Sequence, residues 1–171
     1  MAITTHNKGF TVFFATLVAS LALAIGLAIY DLTVRSLNLS TVASQSQYAI
    51  YAADTGAECV LYWDSHYNTN KSAFATTSAY VPAASGVVCN TQDIAAAWSV
   101  AGSASLATTT FSLTFAAQAY NAGTLAPCAK VEVGKYTETN GRVRTVVLSH
   151  GYNTCAAGAQ NRLERILKVT Y

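Results

Sequence analysis

From Phe10 to Tyr30 the chain runs FTVFFATLVASLALAIGLAIY, 21 residues without a charge, between Lys8 and Asp31. At a rise of about 1.5 Å per residue such a stretch is roughly 30 Å long as a helix, the thickness of a bilayer's hydrocarbon core. In lipid a single segment satisfies its own backbone only as an α-helix. The polar residues inside it, Thr11, Thr16 and Ser20, carry hydroxyls that return a hydrogen bond to the same helix, which lowers the cost of immersion. A core helix of a soluble domain rarely runs so long without a charge. The stretch is therefore read as a membrane-compatible helix, and the rest of the chain has to accommodate it.

The 171 residues leave room for this helix and one globular domain. Charged residues make up only 11% of the chain, against the usual ~25% of soluble domains. The apolar stretch explains part of that deficit. The remainder is rich in Ala, Ser, Thr, Tyr and Asn, which suits an extracellular surface packed against copies of itself. The net charge of +2 is spread along the chain, so no nucleic acid or other polyanion is implied. Four cysteines, Cys59, Cys89, Cys128 and Cys155, with no C-x-x-C and no neighbouring histidine, favour two disulfides over a metal site and place the domain outside the cytoplasm.

Past Tyr30 the helical pattern continues. Asp31 and Arg35 stand at i,i+4 and can pair. Leu39, Val42, Ser46, Ala49, Ala53 and Val60 follow at mostly three- and four-residue spacing, with Tyr48, Ile50 and Tyr51 close by, an apolar stripe suited to lie under a sheet. The spacing predicts one helix from about Thr11 to about Trp63, with Gly56 as a bend or an end. Asp54-Thr55-Gly56 matches the triplet of aspartic proteases, whose chemistry needs two carboxylates sharing a proton. Here it occurs once, in a helical pattern, and the plainer reading is two exposed acids, Asp54 and Glu58, on a helix face.

From Asp64 to about Thr110 the pattern fades. His66, Asn68, Asn70 and Lys71 suggest a loop, while Val81-Pro82 and Ser85-Gly86 mark turns. Asp93–Val100 reads as a short helix capped by Asn90 or Thr91. Asn38-Leu39-Ser40 and Asn70-Lys71-Ser72 match the glycosylation sequon. Strands begin at Phe111–Phe115, where Phe111, Leu113 and Phe115 alternate with polar residues. A second spans Cys128–Thr137, with Ala129, Val131 and Val133 inward and Lys130, Glu132 and Lys135 in the opposing set. Asn140-Gly141 predicts a type I′ hairpin turn. Arg142–Ser149 follows, then the loop 151–160, then Arg162–Tyr171, with Leu163, Ile166 or Leu167, Val169 and Tyr171 inward. The expected fold is α+β: one long N-terminal helix packed on a roughly four-stranded antiparallel sheet.

The sequence offers little chemistry. His6, His66 and His150 lie far apart without a carboxylate at ligand spacing, so no metal is expected. No phosphate-binding glycine loop and no nucleophile motif occur. No catalytic residue and no cofactor are expected, and the ten tyrosines are assigned to interfaces.

Lys8-Gly9-Phe10-Thr11, placed directly before the apolar helix, resembles the processing site of type IV pilins and pseudopilins, and the downstream order of helix, irregular loop and antiparallel sheet is similar to theirs across nearly the whole chain. The resemblance implies that a prepilin peptidase cuts between Gly9 and Phe10, that Phe10 becomes a methylated N-terminus, and that residues 1–9 are a leader. It divides the rest into a transmembrane and filament-core helix (10–30, with Phe10, Phe13, Phe14, Leu17, Leu21 and Ile25), the amphipathic half of the same helix (31–63) and a pilin-like head (64–171). It makes copies of the chain, or related pilins, the partners, first in the cytoplasmic membrane and then in an extracellular filament. Phe14 stands where the family usually carries a glutamate thought to pair with a neighbour's N-terminal amine. A buried charge there is costly unless paired, and Phe14 forms no such pair, which points to a minor or tip subunit. In this layout Cys59–Cys89 and Cys128–Cys155 are the favoured pairs, the second resembling the C-terminal disulfide loop of pilins; the two other connectivities stay open. Competing readings are cleavage as a signal peptide at Ala22-Leu23-Ala24, an uncut single-pass anchor carrying a surface binding domain, and a secretion pseudopilin.

Overall fold

A computed structural model of the chain describes residues 8–67, 72–76, 85–103, 105–116, 118–120 and 123–171. Positions 1–7, and with them most of the expected leader, lie outside the described residues, as do Asn68, Asn70, Lys71 and the Val81-Pro82 turn. The chain divides into two compact units, Met1–Ala43 and Ser44–Tyr171. One helix, α1 (Lys8–His66), enters both.

In the first unit the described residues are helical throughout. Asp31 and Arg35 pair at 3.0 Å, both exposed, a contact worth only a few tenths of a kcal/mol. Leu39 and Val42, assigned to the covered stripe by their spacing, are exposed.

The second unit is α+β. Its main sheet has five antiparallel strands in the order β3 (Ser99–Ser103), β4 (Leu106–Thr114), β7 (Cys128–Thr137), β8 (Val143–Tyr152), β9 (Glu164–Thr170). Two small hairpins stand apart from it: β1 (Val88–Cys89) with β2 (Gln92–Asp93), and β5 (Gln118–Tyr120) with β6 (Gly123–Leu125).

Residues 44–66 of α1 lie on one face of the main sheet, and small side chains set the contact. Ala49, Ala52, Ala53, Ala57 and Val60 are buried. Gly56 does not end the helix, which runs on to His66. A Cβ built on it would stand 2.5 Å from Ser149 Oγ and 2.7 Å from Val131 Cγ2. The backbones approach because no side chain intervenes. At the other end of the contact, a Cβ on Gly151 of β8 would meet Ala49 O at 2.0 Å and Ala53 N at 2.4 Å.

The sheet face under the helix is a stack of transverse rows. Strand register places Leu113, Ala129, Gly151 and Arg165 in one row, Phe111, Val131, Ser149 and Leu167 in the next, then Thr109, Val133, Val147 and Val169, and last Ala107, Lys135 and Thr145. The first row meets the helix at Ala49 and Ala53; the last meets it at Asp64. Four rows span about 20 Å of strand, and Ala49 to Asp64 spans about 22 Å of helix, so the helix runs nearly along the strands. Beyond one edge of this face Phe74 fills a buried corner, its ring 5.6 Å from Trp98 and 6.2 Å from Phe111.

Several local readings change. Asp93–Val100 is not a helix: Gln92 and Asp93 pair back onto Cys89 and Val88. Asn90 and Thr91 are the turn of that hairpin, both with positive φ (46° and 63°), the backbone of a type I′ connection. The Ser/Thr/Ala run before Phe111 is the β3–β4 hairpin, which brings the sheet to five strands. His66 closes the helix instead of opening a loop. Asn140-Gly141 does lie in the β7–β8 connection, yet only Gly141 has positive φ (81°). Glu138 N–H donates to Arg142 O and Gly141 N–H donates to Glu138 O, so the loop is a type I turn closed by a left-handed glycine, which fits a connection longer than two residues. Lys135 shares the inward face of β7 with Val131 and Val133 and is buried. Ile166 faces away from the helix and is exposed, while Leu167 lies in an inward row.

Candidate functional site

The most unusual surface of the chain is the first part of α1. Phe10, Phe13, Phe14, Leu17, Leu21 and Ile25 are between 50% and 72% exposed, and so to similar degrees are Val12, Leu23, Leu27, Ile29 and Leu32. The helix is long and apolar enough to cross a membrane, and none of its most apolar window is covered within the chain. Gly9 lies inside the same helix, one position before Phe10. Thr16 Oγ1 donates to Phe13 O at 2.9 Å, Ser20 Oγ to Leu17 O at 2.8 Å and Thr33 Oγ1 to Ile29 O at 2.8 Å. These hydroxyls ask nothing of the surroundings, which suits a helix surrounded by apolar groups.

In the head, Cys59–Cys89 joins α1 to the small β1–β2 hairpin, with Cα atoms 6.0 Å apart. Cys128–Cys155 joins the first residue of β7 to the loop after β8, with Cα atoms 5.5 Å apart. Trp63 Nε1–H donates to Val88 O at 3.0 Å beside the first bridge. Asp54 and Glu58 are exposed on the helix, and Thr55 Oγ1 donates to Tyr51 O. The Asp54-Thr55-Gly56 triplet is therefore helical, unlike the strand-following loop of aspartic proteases. Among the described residues no three His, Cys, Asp or Glu side chains are grouped to hold a metal.

Two polar clusters went unread in the sequence. The first is buried between helix and sheet. Asp64, in the last turn of α1, receives Lys135 Nζ and the Ser72 hydroxyl on Oδ1, and the Tyr171 hydroxyl on Oδ2 at 2.8 Å. The Lys135 and Asp64 side chains are 5% and 9% exposed. Burial, then the hydrogen bond to Asp64, pushes the Tyr171 phenol well above its ordinary value. The signal was present in the phase of β7, because position 135 shares the parity of Val131 and Val133.

The second cluster lies on the sheet face opposite the helix. His150 Nδ1 contacts Glu164 Oε1 at 2.6 Å, the Tyr152 hydroxyl donates to the same oxygen at 2.9 Å, and Arg162 stacks 3.9 Å over the Tyr152 ring. The hydrogen bonds from His150 and then Tyr152 hold the Glu164 carboxyl below the usual carboxylate range. Burial, followed by the Glu164 hydrogen bond, raises the Tyr152 phenol. A groove of about 310 Å³ in the head is lined by Tyr48, Tyr51, Thr55, Asn90, Phe115 and Pro127.

No protein-family model, no curated protein and no solved structure matches this chain.

Proposed function

We propose that the protein is a structural subunit of a type IV pilus-like extracellular filament, processed between Gly9 and Phe10 and assembled through its apolar N-terminal helix. The observation that carries this reading is the uncovered helix surface from Phe10 onward. Burying a large apolar side chain is worth about 1.5–3 kcal/mol, so leaving this whole segment in water would cost tens of kcal/mol. It requires a cover from outside the chain. Lipid supplies that cover first, and like helices of neighbouring copies or related pilins supply it after assembly, with little hydrophobic loss on the transfer. The prepilin peptidase is the processing partner, acting while the subunit waits in the cytoplasmic membrane.

The head adds support from its chemistry. Two disulfides suit an oxidising exterior, and a helix continuing from the apolar segment to a sheet domain gives that domain a direct anchor. Phe14, apolar and exposed, favours a minor or tip position over the repeating position.

The test is the N-terminal mass of the protein sheared from the cell surface. The expected chain begins at methylated Phe10 and is found in the sheared filaments. A chain that keeps Met1 and is found only in the membrane fraction would sink the filament reading. It would establish an uncut single-pass anchor, with the groove beside Tyr48 and Phe115 as the place to seek a ligand. A processed chain confined to a secretion complex would make it a pseudopilin.

A further inference from the structure

We propose that Asp64 and Lys135 become joined by an intramolecular amide bond, a covalent cross-link between the last turn of α1 and the central strand β7. The inference stands whether or not the chain enters a filament.

Three observations carry it. The two groups touch, Nζ on Oδ1, although 71 positions separate them in the chain. Both are more than nine-tenths buried. The reacting carboxyl is held on both oxygens, by the Ser72 hydroxyl at Oδ1 and the Tyr171 hydroxyl at Oδ2. Lys135 sits in the row that contains Ala107 and Thr145, and Tyr171 extends that row, since Thr145 and Tyr171 exchange both backbone hydrogen bonds. The small Ala107 on one side and the phenol on the other place the amine under the helix end and aim it at one carboxyl.

The chemistry balances without an added reagent. The ammonium passes one proton to Oδ1, leaving a free amine and a carboxylic acid. Nζ attacks Cγ, and the negative charge that develops on Oδ2 is met by the Tyr171 hydroxyl, a donor aimed where charge appears. A second proton moves from Nζ to Oδ1, the Cγ–Oδ1 bond breaks and water departs. Oδ2 remains as the amide carbonyl and Nζ keeps one hydrogen. In water, amide formation from these groups is unfavourable. Here the partners are held together, which can be worth an effective concentration of about 10⁵ M or more, and the product water leaves a site with little solvent contact.

The experiment is the intact mass of the purified full chain after reduction of both disulfides, with peptide mapping of the digest. The expected mass is lower than the sequence sum by one water, and the map contains a branched peptide joining the segments around Asp64 and Lys135. Asp64→Asn supplies an independent readout, because the same attack on an amide expels ammonia and gives the same final mass as the linked wild-type chain. Lys135→Arg keeps the charge and removes the nucleophile, and its chain should carry the full sequence mass. A reduced wild-type chain with the full sequence mass and no branched peptide would overturn the proposal. That result needs no variant to fold.

Discussion

Gly56 on the helix lies so close to Ser149 on β8 that a Cβ at position 56 would stand 2.5 Å from the Ser149 hydroxyl oxygen. Helix propensity alone favours alanine at a helix interior by about 1 kcal/mol. The contact reverses that sign, because the added methyl also meets Val131 at 2.7 Å. Gly56→Ala is expected to destabilise the head by roughly 1–3 kcal/mol, the usual range for overpacking. Thermal unfolding followed by circular dichroism checks it; an unchanged or higher midpoint would mean the helix is not held against β8 at this distance.

Ser149 itself offers a change of opposite sign. Its hydroxyl is buried with no hydrogen-bond partner among the described residues, and a buried polar group left unpaired costs about 1–3 kcal/mol. Ser149→Ala should leave the head as stable as before or stabilise it by about 1 kcal/mol. It should also recover part of the loss in Gly56→Ala when the two are combined, since the atom nearest the new methyl is gone. Urea unfolding of the single and double variants measures the coupling.

Gly151 allows no such relief. The atoms that a Cβ there would meet, Ala49 O at 2.0 Å and Ala53 N at 2.4 Å, belong to the helix backbone. No rotamer moves them, so the helix must lift from β8 and lose the packing of Ala49 and Ala53. Gly151→Ala is expected to cost more than Gly56→Ala, above roughly 3 kcal/mol, and to appear as loss of soluble folded protein at physiological temperature.

The Cys59–Cys89 bridge closes a loop of 30 residues, for which the chain-entropy estimate is about 3–4 kcal/mol. Replacing both cysteines with alanine should lower stability by about that amount. Circular dichroism should find the sheet retained at low temperature, because the five main strands pair without this bridge.

Acid should weaken the outer face of the sheet through Glu164. Its carboxyl is held below the ordinary value of 4.5 by hydrogen bonds from His150 and then Tyr152. The unfolded chain therefore takes up this proton first as pH falls, and stability rises with pH across that window. The contribution is complete above the unfolded value and is lost as pH falls through the lower folded one. Glu164→Gln should flatten this part of the curve of melting temperature against pH between about 5 and 3. Identical acid limbs in the two proteins would show that the His150–Glu164–Tyr152 contacts do not persist in solution.

What could be read from the residues alone was what depends on near neighbours. The apolar run announced a helix, and α1 spans the expected range with a few residues added at each end. Strands β7 and β8 announced themselves by alternation, because one face of each is buried and the other is not. The favoured disulfide pairing is the one observed. At β3 and at the β1–β2 hairpin the reading failed. Every residue of β3 is exposed, so its sequence has no period to show. The β1–β2 hairpin has two residues per strand, too few for any period, and its turn uses Asn90 and Thr91 instead of a glycine.

Tertiary structure decided what depends on residues far apart. Gly56 reads as a helix weakness until β8 is laid against it. Lys135 reads as a surface charge until Asp64, 71 positions earlier, arrives to meet it. A period is a property of one segment, whereas the choice of glycine or the burial of a charge is set by the segment packed on top. The residues alone thus determined the long helix with its apolar first part and the strands that alternate in burial. The fold alone determined how closely helix and sheet approach, and which polar groups they enclose.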